Sequence, residues 1–282
     1  MRQKNRLLIV PLLLVILALL LYPLTLLTLS SLHVSGSIFS AETTAGSLTL
    51  ANYASIATDV HYRTALFNSI FLSLAVALFS IVLCLCPAWL FARKTFRGKR
   101  ALRALFTLPM SFSGIIVGFL LIIMLGRIGL VPQWISRLTG QDWFSGAAYR
   151  FGGLIWAYIY FEIPRATLTL ESSLRRFDFQ LESAARSLGA GRWQRLRFVI
   201  LPLLWPSLLS TFAVTFSVSL GSFGVALIAS KRFSLLPVEL FHELTGFLNA
   251  GLASAMGVTL VAIAFSVNYA MRVFVGRREA GR

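Results

Sequence analysis

Six stretches of the chain, 7–29, 66–91, 105–125, 152–170, 208–229 and 252–274, are apolar with little interruption. A helix rises about 1.5 Å per residue, so roughly 20 such residues cross a hydrocarbon layer about 30 Å thick. Strands of a membrane barrel would be about ten residues long and would alternate apolar with polar positions. The pattern therefore predicts an all-α integral membrane protein with six transmembrane helices. The first run follows Arg2, Lys4 and Arg6 as a signal peptide would. It exceeds the roughly 7–15 apolar residues of such a peptide and lacks a clear small-residue cleavage site, so it reads as an uncleaved helix.

The pattern changes between the fourth and fifth runs. Over 171–207, apolar residues fall at Leu174, Phe177, Leu181, Ala184, Ala185 and Leu188, the spacing of one helical face. Arg175, Arg176, Asp178, Glu182 and Arg186 occupy the other side. Gly189 supplies a helix stop. A second short period, Trp193, Leu196 and Ile200, runs on until Pro202 and Pro206 interrupt it. The insert thus predicts a helix, a glycine turn and a second short helix. Such a helix could lie on the bilayer, pack beneath its own bundle, or dock to a partner.

Composition agrees with the span pattern: 57% of residues are hydrophobic and 13% charged, against about 25% charged in a soluble domain. The net charge of +16 would suit a nucleic-acid partner if it were spread evenly. It is not. With six spans, most basic residues fall in the N-terminus, 92–104, 171–207 and the C-terminus, all on one side. The opposite side holds Arg63, Arg127, Arg137, Arg150, Lys231 and Arg232. This bias sets orientation, with both termini cytoplasmic in a bacterial inner membrane, and implies no nucleic acid. The basic loop 92–104 suits anionic lipid headgroups of the bilayer. The outer connections 30–65, 126–151 and 230–251 are too short for an independent domain. A ligand captured outside the membrane is then captured by another protein.

Candidate chemistry is sparse. His33, His61 and His242 fall in outer loops, and no His-Glu-x-x-His or Gly-x-x-x-x-Gly-Lys-Ser/Thr sequence occurs, so no enzyme, metal site, cofactor or ATP site is expected on this chain. Cys84 and Cys86, two residues apart on one helix, point different ways and read as packing residues. Ser207, Thr211, Thr215, Ser219 and Ser222 share one face of the fifth span. They read either as a polar lining of a translocation cavity or as a seam of small residues between helices. Glu162, with Arg165 three residues on, is an acidic residue inside a span. It is either a pathway residue or half of an ion pair near a helix break at Pro164, at the cytoplasmic end. Gly114 and Gly118 suit close helix packing.

Glu182-Ser183-Ala184-Ala185-Arg186-Ser187-Leu188-Gly189, followed by Val199-Ile200-Leu201-Pro202, resembles the cytoplasmic "EAA" loop of permease subunits from binding-protein-dependent ABC importers. Gly189 and Leu201-Pro202 stand at the family separation, with Val199 in place of an isoleucine. The family glutamate lies six residues before the glycine, where this chain has Ser183, and Glu182 comes one residue earlier. That offset turns the side chain by about 100°. Ala65-Leu66-Phe67-Asn68-Ser69, Leu108-Pro109 and Glu162-Ile163-Pro164 also look like family segments.

The resemblance covers roughly 63–275 and implies a type I permease bundle there, with an accessory helix and outer loop over 1–62 and a tail over 276–282. It further implies cytoplasmic ATPase subunits that bind the ATP and a second permease, either a copy or a paralogue. An extracytoplasmic substrate-binding protein completes the set. Glu182, Ser183, Ala184, Ala185, Gly189, Leu201 and Pro202 would couple to the ATPase. The overall look leans toward permeases for polyamine, sulfate, thiamine or ferric iron. The alternative is a secondary transporter without an ATPase, which would more often show internal repeats and broken helices at a midplane site.

Overall fold

The computed structural model describes residues 2–33, 48–142, 144–175, 180–230 and 232–280, and among these the regular structure is entirely helical. The six apolar runs are largely helical. The first is α1 (Arg2–Ser31), followed by the short α2 (Ala51–Thr58), and the second is α3 (Val60–Arg93). Then come α4 (Lys99–Thr107), α5 (Gly114–Leu125), α6 (Leu130–Thr139) and α7 (Phe151–Arg175). The insert carries α8 (Gln180–Ser187) and α9 (Arg192–Arg195), and the chain finishes with α10 (Leu201–Gly221), α11 (Phe223–Ala229), α12 (Leu236–Thr245) and α13 (Ala250–Ala280). By length and composition, four stretches of the described residues can cross a membrane: Val60–Arg93, Gly114–Thr139, Arg192–Gly221 and Ala250–Gly276. The helix α7 carries Glu162 and Arg165 within its 25 residues.

Two of the expected spans are interrupted. The run 105–125 breaks after α4: Leu108–Ser111 form a tight 3-10 turn containing Pro109, and Phe112 is extended. Ser113 then caps α5, its Oγ accepting the Ile116 N–H at 3.4 Å. The run 208–229 breaks at Ser222, where ψ is 104°. The Ser222 carbonyl freed by the break accepts the Tyr158 hydroxyl at 2.8 Å, as a backbone group deprived of water requires. Conversely, Pro202 and Pro206 do not stop the helix that contains them. A proline lacks the N–H and crowds the carbonyl four residues back. Here Leu196–Ile200 widen into a π-turn, with the Leu201 N–H bonded to Leu196 O, and the helix runs on from Arg192 to Gly221. Pro164 likewise sits inside α7 without ending it.

The chain divides into two compact units. The first comprises 1–65 and 236–262. Asn52 Nδ2 donates to the carbonyls of Ser31 and His33, each at 2.9 Å. Tyr62 donates to Glu243 at 2.6 Å, and His61 lies 3.0 Å from Glu239, so the start of α3 is tied to α12.

The second unit comprises 66–235 and 263–282. Here α5 and α11 touch backbone to backbone: a Cβ on Gly224 would stand 2.9 Å from Ile115 N, and one on Gly118 2.7 Å from Ile228 Cβ. Only glycine permits that approach. Toward the insert, Cys84 and Ala88 of α3 pack with Ala166, Leu170 and Leu174 of α7 and with Ile200 and Leu204. This cluster sets the position from which the insert leaves and re-enters the bundle.

Candidate functional site

The insert has the predicted order of helix, glycine turn and short helix. Phe177, Arg176 and Asp178, which the pattern placed on the first helix of the insert, lie outside the described residues. The end of α8 is fixed by three hydrogen bonds: Leu188 N–H to Ala184 O at 3.1 Å, Gly189 N–H to Arg186 O at 3.0 Å and Ala190 N–H to Ala185 O at 3.0 Å. The last two form a Schellman closure, which needs a left-handed residue at its turn. Gly189 has φ +80°, and a Cβ there would meet nothing within 4 Å. Glycine is therefore required by backbone conformation and not by crowding. After the turn, Gln194 Oε1 accepts the Gly191 N–H at 2.9 Å and closes the start of α9.

The orientation of α8 is the informative feature. An amphipathic helix packed beneath its own bundle turns its apolar face inward. This one does the reverse. Leu181 and Leu188 are 48% and 89% exposed, Ala184, Ser183 and Gly189 are exposed, and Ala185 is half-buried. Beyond the turn, Trp193 is 73% and Phe198 69% exposed.

The acid of α8 faces the protein instead. The Glu182 carboxylate pairs through Oε2 with Arg93, at the end of α3, and through Oε1 with Arg195 of α9 at 3.6 Å. The Arg93 guanidinium in turn lies over the Trp89 ring, 4.3 Å from its centroid. A second acid sits nearby in the chain. Glu171, buried at the end of α7, accepts from Arg175 at 2.8 and 3.0 Å and lies 3.3 Å from Arg103 of α4. Leu201 and Pro202, at the far end of the insert, form the first turn of α10 beyond the π-turn. Sequence reasoning did not find Arg93 and Arg195 as partners of Glu182. Arg93 is 89 residues away, and no local spacing signals such a pair.

The polar positions of the spans fall into two groups. Thr211, Thr215 and Ser219 of α10 are buried within the chain's own packing, and Ser222 is half-buried at the break. Thr211 Oγ1 donates to Ser207 O at 2.8 Å, while Thr215 Oγ1 and Ser219 Oγ have no hydrogen-bond partner among the described residues. Glu162 is buried, and both its oxygens accept from Arg165 Nη1, at 2.7 and 2.9 Å. The pair forms as expected, but not at a helix end. Because α7 passes through Pro164 to Arg175, the pair lies roughly 15 Å from that end at about 1.5 Å per residue. Among the described residues no group of three or more His, Cys, Asp or Glu side chains is arranged to hold a metal.

Fold and insert define the class first: a helical membrane protein that crosses its bilayer more than once. Residues 87–279 match the family of binding-protein-dependent transport system inner membrane components, and the chain belongs to that family. It is the permease subunit of an ABC importer of the inner membrane. The molybdenum transport permease ModB of Escherichia coli K12 is 35% identical over 173 residues, covering 61% of this chain and 73% of ModB. The sulfate permease CysT of the same organism is 27% identical over 238 residues, covering 82% and 84%. A solved bacterial ABC transporter that imports the acidic polysaccharide alginate superposes with a TM-score of 0.76 at 16% identity, covering 98% of this chain and 96% of that one. This last likeness supports the type I permease fold.

Proposed function

We propose that this permease carries a small tetrahedral oxyanion, of the molybdate or sulfate class, across the membrane. A cytoplasmic ATPase pair drives it through the outward face of α8. The observation that carries the coupling role is the inverted amphipathicity of that helix: the acid faces in and the leucines face out. Exposed Leu181, Leu188 and Trp193 lose water only against a partner or a lipid surface, and the small Ala184, Ala185 and Gly189 between them let another backbone come close. Glu182 serves from the inner side, with Ser183 at the rim, and Leu201 and Pro202 carry the insert into α10. ATP is bound and hydrolysed on the partner, and this chain contributes no cofactor site. The charge bias supports cytoplasmic termini. A second permease, identical or paralogous, completes the pathway, and a binding protein delivers the solute from outside. The names of the relatives ModB and CysT support the oxyanion class.

The test of the docking face is co-purification. Gly189→Glu adds bulk and charge at an open position, so insertion into the membrane persists while ATPase recovered with the permease falls at least tenfold. Wild-type recovery and wild-type substrate-stimulated ATP hydrolysis in that variant would contradict the assignment.

A further inference from the structure

The two sides of α7 differ in a way that bears on the path of the solute. Trp156 and Arg165 are nine residues apart, which at about 100° per residue puts them on opposite sides of the helix. Around Trp156 itself the side is largely apolar. Trp156 lines one cavity of about 550 Å³ with Phe79, Val82 and Ile159, and a second of about 260 Å³ with Leu120 and Met124. Acyl chains suit both. The Arg165 side carries a polar stripe instead. Arg165, Thr169 and Ser172 fall at i, i+4 and i+7, from the middle of α7 toward the insert. The Arg165 side chain keeps 30% of its exposure, Thr169 is half-buried and Ser172 is exposed.

A stripe of this kind does not face hydrocarbon, where an arginine is costly. Its chemistry is also specific. Thr169 Oγ1 donates to Arg165 O and Ser172 Oγ to Thr169 O, both at 2.8 Å, so the hydroxyl protons are committed to backbone. Glu162 takes both its bonds from Nη1 of Arg165. Among the described residues that leaves the Nε and Nη2 edge of the guanidinium as the available donors, on a group that is planar, permanently charged and matched to oxyanion geometry.

We propose that Arg165 is a waypoint for the transported anion along α7, with Glu162 as its positioning partner. Glu162 neutralises the arginine between turnovers and holds it in one orientation. A passing dianion takes the unused edge and then leaves, because the buried carboxylate keeps the site weak, as conduction through a site demands. The path thus runs along the Arg165, Thr169 and Ser172 side of α7, while Thr211, Thr215 and Ser219 of α10 form a seam between helices. This inference rests on the oxyanion importer reading above.

The experiment is uptake of radiolabelled molybdate and sulfate into vesicles containing the permease with its ATPase and binding protein. The variants are R165K, R165Q, E162Q and the double variant E162Q/R165Q, each normalised to the complex recovered. Arg165→Gln is expected to lower maximal uptake at least tenfold, and Arg165→Lys to retain an intermediate rate. The double variant, which has no unpaired charge, is expected to assemble but to stay as slow as R165Q. Recovery of uptake in the double variant would make the pair purely structural and overturn the proposal, as would R165Q uptake within twofold of wild type. Wild-type complex that hydrolyses ATP with its binding protein but takes up neither anion would sink the substrate reading and the role of Arg165 together. Normal wild-type uptake alongside unaffected R165Q sinks the waypoint alone.

Discussion

At the scale of single residues, Glu182 and Gly189 do different work within the same eight-residue helix. Gly189 holds a left-handed turn in open space, so Gly189→Ala costs about 1–2 kcal/mol through its backbone alone and perturbs the exit of α8 without blocking any contact. Glu182 joins Arg93 and Arg195, both largely buried with it. If this carboxylate transmits movement from α8 into α3 and α10, then Glu182→Gln and Arg93→Gln each uncouple ATP hydrolysis from uptake. The double variant would be no worse than either, since contacting residues interact by about 0.5–3 kcal/mol while independent ones add. Additive losses in coupling ratio, measured as anions moved per ATP, would show that the two residues act separately. Thr215 poses a simpler test. Its buried hydroxyl has no partner among the described residues, and a buried unmade hydrogen bond costs about 1–3 kcal/mol. Thr215→Val therefore leaves uptake unchanged and raises thermal stability in detergent. A drop in uptake with normal stability would return Thr215 to the solute path.

At the scale of elements, the hydrophobic pattern reports burial in lipid or protein but not helix continuity. Pro109 and Pro202 have the same chemistry and opposite outcomes. Around Pro109 the chain turns through a 3-10 segment and restarts at Ser113. At Pro202 a π-turn absorbs the missing donor and the helix continues. The difference lies in tertiary packing: Ile200 and Leu204, on either side of Pro202, are locked into the core beneath α7 and α3. The α5–α11 junction depends on Gly114, Gly118 and Gly224 in the same way. Gly224→Val places a branched side chain against backbone already within 3.1 Å, and overpacking of this kind costs about 1–3 kcal/mol or more. The melting temperature of the purified permease should fall clearly. A value equal to wild type would mean that the two helices separate readily.

At the scale of the whole molecule, the order of spans, the insert and its glycine turn could be read from periodicity and composition, because both follow from local spacing. The resemblance carried by Ala184, Ala185, Gly189, Leu201 and Pro202 pointed to the family that residues 87–279 match. What escaped was everything set by distant packing: the Glu182 tether to Arg93, the contact of Glu171 with Arg103, and the burial of the α10 hydroxyls. The inward turn of Glu182 also gives a physical meaning to its one-residue offset from the family position, since about 100° of helix rotation separates an acid that faces a partner from one that faces its own bundle. The account as a whole is that of a permease that moves an oxyanion at the expense of ATP hydrolysed on another subunit. Its most direct test is reconstitution of the purified complex, with uptake of molybdate and sulfate followed as ATP, the ATPase and the binding protein are withheld in turn. The account predicts uptake of at least one of these anions only when all three are present. Uptake by the permease alone, driven by an ion gradient, would contradict it.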